Sequence, residues 1–459
     1  MKPTDVTKDA ANVSASVTDF RQALLDDYRL MCMSREASLL GRKEVLGGKA
    51  KFGIFGDGKE LAQIALSKII QPGDWRSGYY RDQTLMMAQN LLSVRQYFAA
   101  LYADTDLKRE PTSGGRQMGG HFATRLLDEQ GKWLDQTEGF NSSADISPTA
   151  GQMPRLLGLA QASKLYRALP ETAAAKKRFT QGGNEIAIGT IGDSSTSEGP
   201  FWETMNAAGV LQVPMLMNVW DDGYGISVPK KYQTTKASIS VALSGMQKEE
   251  DTNGIVIYRV KGWDYPALVS TYEQAAKRCR EEHVPVLVHV EEVTQPQGHS
   301  TSGSHERYKS KERMAWAEEF DCIRQFEKFV LLEGAATQAE LDEIRKKVKK
   351  EVRNEQKTAW ADFRASFDSE LEEVIQLISE VAGPDSAEIV DLRNAVFPGR
   401  AELHGAARRT LQNTESLRTP ASEALTRWSD AFGKENRERY SRHLYSASDD
   451  SALVVPIVN

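Results

Sequence analysis

Between residues 185 and 293, short apolar runs alternate with stretches of helical periodicity, and this alternation constrains the fold more than any other feature. Glu185 to Ile191 (EIAIGTI), Val213 to Trp220 (VPMLMNVW), Gly254 to Val260 (GIVIYRV) and Pro285 to Val293 read as strands. Phe201 to Leu211 and Ala267 to Glu282 read as helices between them. Near-continuous apolar strands separated by helices imply an α/β fold, a parallel sheet covered on both faces. Ligands of such sheets sit beyond the carboxyl ends of the strands. The loops that follow positions 191, 220 and 293 are therefore expected at one site.

The flanking segments are helical. Periodicity predicts helices over 18–46, 58–70 and 86–103, followed by a Gly-rich loop from Ser113 to His121. From 310 onward the pattern is helical again. Thr337 and Glu340 form a capping-box pattern, and Leu341, Ile344, Val348 and Val352 form an apolar stripe. The basic run Arg345, Lys346, Lys347, Lys349 and Lys350 around it reads as a solvated face. Short helices with polar breaks are expected over 383–450, before an apolar run from Leu453 to Val458. No internal repeat is present.

Composition narrows the function. The 459 residues leave room for two or three domains. A net charge of -6 argues against a nucleic-acid partner, which favours a basic face. No apolar run is long enough for a bilayer, so no membrane role is expected. Residues 1–17 lack the apolar core of a secretory signal and read as a flexible arm. Cys32, Cys279 and Cys322 are odd in number and far apart. They read as buried structural thiols of a cytoplasmic protein and exclude a Cys-only zinc site.

The strongest local signal is Gly192-Asp193-Ser194-Ser195-Thr196-Ser197-Glu198-Gly199, which follows a strand and opens a helix. Amides and small hydroxyls at a helix start favour phosphate oxygens. Asp193 offers magnesium a hard oxygen ligand. Asp221-Asp222 ends the next strand, and Asp222 lies 29 positions after Asp193. One helix and one strand fill that interval, so both acidic groups return to the same sheet edge. Taken alone, a Gly-Asp turn is more often an N-cap. Gly47-Gly48-Lys49 is not a P-loop, because position 43 is Lys and Ala50 follows the lysine.

The segment GDSSTSEGPFWETMNAAGVLQVPMLMNVWDDGYGIS resembles the thiamine diphosphate-binding segment of the alpha subunits of 2-oxo acid dehydrogenases. GIFGDGKELAQIALSKIIQPGDW, RSGYYRDQTL, GGRQMGGHF, ISPTAGQMPRLLGLA and GHSTSGSHERY agree with that family in order and spacing. The similarity spans about residues 20–355, and GRQMGGH and GHSTS look closer to branched-chain than to pyruvate enzymes. The resemblance implies a thiamine diphosphate-binding domain over 18–330 and a helical extension over 331–459 leading toward a beta chain or beta domain. It implies that Asp193, Asp222 and the Tyr224 carbonyl hold magnesium, and that Ser194 and Ser195 meet the diphosphate through their amides. Tyr80 and Arg81 would bind it from the other side, Ser147 and Thr149 would touch the thiamine rings, and His299 would stand near the reacting carbon as the catalytic histidine.

The implied activity is oxidative decarboxylation of a small 2-oxo acid, with acyl transfer to a lipoyl-bearing acyltransferase. A beta-type subunit or fused beta domain would supply the glutamate that activates the cofactor, giving a heterotetramer. Three departures stand out. Ser194 replaces a Gly, Asp221-Asp222 replaces Asn-Asn, and Trp220 and Gln295 stand where branched-chain relatives carry arginines. Loss of cations beside a diphosphate should weaken the cofactor unless other groups replace them. Alternatives are a pyruvate or acetoin enzyme, a non-catalytic member of the fold, and a scaffold built on the charged C-terminal helices.

Overall fold

A computed structural model describes residues 6–415 and 418–441, with side chains from residue 19. The apolar run Leu453–Val458 lies outside these residues. The strands are β1 (Trp75–Ser77), β2 (Asn141–Ser142), β3 (Ala187–Gly192), β4 (Met215–Asp221), β5 (Tyr224–Gly225), β6 (Val228–Pro229), β7 (Val256–Lys261) and β8 (Val286–Glu291). Six of them form one sheet in the order β2-β1-β3-β4-β8-β7, and every pairing within it is parallel. β5 and β6 make a small antiparallel ribbon beyond β4. The four strands read from the sequence are β3, β4, β7 and β8. The two short members at one end of the sheet, β1 and the edge strand β2, lie outside the pattern read from the sequence.

Side chains alternate across β4 and β8, so each strand feeds two cores. Leu216, Trp220, Val286, Val288 and Val290 pack with Leu61, Tyr272 and Phe326 on one face. Met215, Met217, Val219 and Leu287 pack with Leu156, Phe201 and Met205 on the other. Gly189 of β3 is required by this closeness. A Cβ there would stand 2.2 Å from Leu156 Cδ2, on the helix Met153–Ala168.

The helix foreseen over 18–46 spans Val6–Leu46 and so runs back through most of the expected arm. The pattern over 86–103 divides into Gln83–Ala88 and Val94–Leu101. The capping box at Thr337 forms as expected, with Glu340 N donating to Thr337 Oγ1 at 3.3 Å and Thr337 N donating to Glu340 Oε2 at 2.8 Å. Its helix, Gln338–Ala365, turns Leu341, Val348, Val352 and Ala359 into the first core. A division of the chain at 330 would cut that core. A separate core begins with the next helix, Asp368–Ala382, and joins Val374, Ile378, Leu403, Leu425 and Phe432. The basic run from Arg345 to Lys350 is exposed on the solvent face. All three cysteines are buried and free. Among the described residues no helix is long and apolar enough to cross a membrane.

Candidate active site

Loops after β1, β2, β3, β4 and β8 meet beyond the carboxyl edge of the sheet, around a cleft of about 330 Å³. Tyr80, Arg81, Thr149, Asp193, Ser194, Ser195, Asp222, Tyr224 and His299 all line it. Ser147 does not. Its hydroxyl lies 3.3 Å from His121 Nε2, and the His121 ring stacks on Tyr80 with centroids 6.4 Å apart. The turn after β3 is a short 3-10 segment, Ser194–Ser197, leading into the helix Gly199–Leu211. Ser194 fits because Gly225 faces it. A Cβ on Gly225 would stand 2.1 Å from Ser194 Oγ.

The acidic residues divide into two roles. Asp193 is buried, and burial followed by the charges of Asp221 and Asp222 pushes its carboxyl well above the usual range. Its Oδ2 is buried with no hydrogen-bond partner, and so is Asp221 Oδ1. Buried polar atoms are nearly always satisfied, so this pair takes up a proton or a cation. Asp222 lines the cleft, and its Oδ1 accepts from Tyr224 N at 3.1 Å. Among the described residues no three His, Cys, Asp or Glu side chains converge on a metal position. A divalent ion here would combine carboxylates with main-chain or ligand oxygens, which is ordinary magnesium chemistry. The donors present fit such an ion.

Asp221 itself is drawn away from the cleft. Its Oδ2 lies 2.6 Å from Lys230 Nζ and 2.9 Å from His289 Nε2, and Ser240 Oγ closes the chain 2.8 Å from His289 Nδ1. Burial alone would raise the Asp221 carboxyl; His289 and Lys230 outweigh it and hold it below the usual range. The extra negative charge that Asp221 brings is therefore offset locally.

The cationic side is richer than the motifs suggest. Arg81 is buried, donates to the Phe55 carbonyl, and reaches both His299 Nδ1 and the His299 carbonyl at 3.1 Å. Burial, then the Arg81 charge, pushes the His299 imidazole down to about 4. Lys59 and Lys309 also line the cleft. Burial lowers Lys59 to about 8 despite the opposing pull of Asp222, and it lowers Lys309 in the same sense. The His299 loop is tied down at its far end: Thr301 N donates to Gly53 O at 2.9 Å, and Arg42 reaches Ser300 O at 3.0 Å.

Behind Tyr80 and Arg81 lies a buried network. The fully buried Arg76 guanidinium meets Asp82 Oδ2 at 2.7 Å, Asp145 at 3.0 and 2.9 Å, Ser142 Oγ at 2.8 Å and Tyr79 O at 2.9 Å. It thereby joins the turn carrying Arg81 to the loop carrying Thr149. Sequence reasoning missed Arg76, Lys59, Lys230, His289 and Lys309. The GDGKE run around Lys59 was visible, but nothing in it separates a buried lysine from a surface one.

The model of the dehydrogenase E1 component family matches residues 28–365. The 2-oxoisovalerate dehydrogenase subunit alpha of Bacillus subtilis (strain 168) is 26% identical over 332 residues, 70% of this chain and 87% of that protein. The mitochondrial 2-oxoisovalerate dehydrogenase subunit alpha of Caenorhabditis elegans is 25% identical over 329 residues, 71% of this chain and 67% of that protein. The pyruvate dehydrogenase E1 component subunit alpha of Acholeplasma laidlawii is 25% identical over 335 residues, 72% and 82% of the two chains. The match to the family model covers most of the chain and every loop that builds the cleft, and this protein belongs to the dehydrogenase E1 component family.

Proposed function

We propose that the chain is the alpha subunit of a 2-oxo acid dehydrogenase, with a branched-chain 2-oxo acid as substrate and thiamine diphosphate with magnesium in the cleft. The observation that carries this reading is the meeting of Asp193 and Asp222 with Arg81 and His299 around one cleft at the carboxyl edge of the sheet. When bound, thiamine diphosphate supplies the carbon nucleophile and the electron sink for loss of carbon dioxide. Asp193, Asp222 and the Tyr224 carbonyl would hold the ion. Ser194, Ser195, Tyr80 and Arg81 would hold the diphosphate, and Thr149 would border the rings, whereas Ser147 lies outside the cleft against His121. Arginine can only donate, so His299 Nδ1 accepts from Arg81 and the ring proton stays on Nε2. A neutral His299 can therefore donate from Nε2 toward a developing oxyanion or pass that proton on.

A beta-type chain completes the site in this reading, and a lipoyl-bearing acyltransferase takes the acyl group. An exposed apolar side chain at the cleft supports a partner: Ile226, which lines it, is 62% exposed. The free, buried thiols suit a reducing cytoplasm. The second reading, pyruvate as substrate, rests on the pyruvate dehydrogenase relatives. Dye-linked oxidation of 3-methyl-2-oxobutanoate and of pyruvate by the chain with its co-purifying partner separates the two. Faster turnover of pyruvate would reverse the substrate order.

A further inference from the structure

Trp220 and Gln295 stand where the resemblance to branched-chain enzymes implies arginines beside the diphosphate. Trp220 is 1% exposed, and its Nε1 lies 3.4 Å from Asp82 Oδ1 in the interior. We propose that Lys59 and Lys309 serve as diphosphate-binding cations together with Arg81. The proposal rests on the cofactor reading given above.

Three observations carry it. First, Lys59 stands where the missing charge would be: its Nζ is 2.5 Å from Gln295 Oε1 and 2.9 Å from Thr294 O. Its side chain is 2% exposed, and its nearest carboxylate, Asp222, is 3.7 Å away, beyond hydrogen-bond distance. A desolvated ammonium so loosely compensated is costly unless an anion arrives. Second, Lys309 enters from the loop that carries His299 and rests its ammonium on the Tyr224 ring, 5.1 Å from the centroid, rather than on a carboxylate. Third, the lysine and arginine side chains that line the cleft are Lys59, Arg81 and Lys309, beside Asp193, Asp222 and Glu198. With Asp193 and Asp222 engaged by the ion, these three cations are the ones left to face a diphosphate. Lysine is a compact point charge and needs no bidentate geometry, so it can serve from a backbone position other than the arginine's.

The test is calorimetric titration of the full chain, assembled with its beta-type partner, with magnesium plus thiamine diphosphate and, separately, with magnesium plus inorganic diphosphate. The variants are Lys309→Gln, Lys59→Gln and Lys59→Arg. Each Gln variant is expected to weaken both ligands by about tenfold to a hundredfold and to flatten the salt dependence of binding, whereas unphosphorylated thiamine binds as before. Lys59→Arg retains a charge and is expected to recover part of the loss. If Lys309→Gln and every folded Lys59 variant bind both ligands within twofold of the wild type, the lysines are not the diphosphate cations. If the wild type itself binds no thiamine diphosphate, the cofactor reading fails and takes this proposal with it.

Discussion

Arg81 NH2 lies 3.1 Å from His299 Nδ1, joining the turn after β1 to the loop after β8. The guanidinium has no lone pair to offer, so this contact exists only with an unprotonated Nδ1. His299 is lowered from 6.5 to about 4, and is therefore neutral throughout pH 5.5–8. Between pH 6.5 and 4 the unfolded chain binds this proton and the folded chain does not. The stabilising contribution is thus complete above pH 6.5 and is lost as pH falls toward 4. NMR titration of labelled imidazoles should show no His299 inflection above pH 5.5; an inflection near 6.5 would contradict the contact.

Arg76 is the keystone of the turn that bears Arg81. Arg76→Met would leave the Asp82 and Asp145 carboxylates buried without their cation. Breaking such a pair destabilises by about 3–5 kcal/mol. Urea unfolding measures it, and a loss below about 1 kcal/mol would show that the network is not needed.

Lys230 and Asp221 form a pair at the end of β4, 2.6 Å apart. Lys230→Met should destabilise the chain, and adding Asp221→Asn should return most of the loss, because the neutral amide no longer needs a cation. A double-mutant cycle should give a coupling of about 1–3 kcal/mol. Additive effects would mean that the two side chains act independently.

Gly225 and Ser194 are matched in size. Gly225→Ala would force a Cβ to within 2.1 Å of Ser194 Oγ, and overpacking of this kind costs about 1–3 kcal/mol. Ser194→Gly in the same chain should relieve part of it, the rest remaining because the same Cβ would stand 2.2 Å from Gln233 Nε2. Thermal unfolding of the single and double variants checks this, and an equally unstable double variant would count against the contact.

The alternating pattern made β3, β4, β7 and β8 legible, because four runs of buried apolar residues alternate with helices. It left β1 and β2 unseen. They are 3 and 2 residues long, too short for periodicity, and owe their pairing to β3 and to the Arg76 network. Asp193, Asp222 and the hydroxyls after β3 were legible because they sit at strand ends with fixed spacing, whereas Tyr80, Arg81, Thr149 and His299 were named by the family resemblance. Lys59, Lys230 and His289 were not, because their role depends on partners 235, 9 and 68 positions away. The stripe Leu341–Val352 was visible, but not the first core, which is the surface it covers.

The central claim is that the cleft works as a thiamine diphosphate site of a 2-oxo acid dehydrogenase alpha subunit. The most direct measurement is dye-linked oxidation of 3-methyl-2-oxobutanoate by the chain purified with its native partner, with and without added thiamine diphosphate and magnesium. Turnover is expected to require both, to fall by about a hundredfold or more in Asp193→Ala, and to be absent from the chain alone. A partner-bound preparation that binds the cofactor yet oxidises no 2-oxo acid, or one whose turnover ignores both additions, would contradict it.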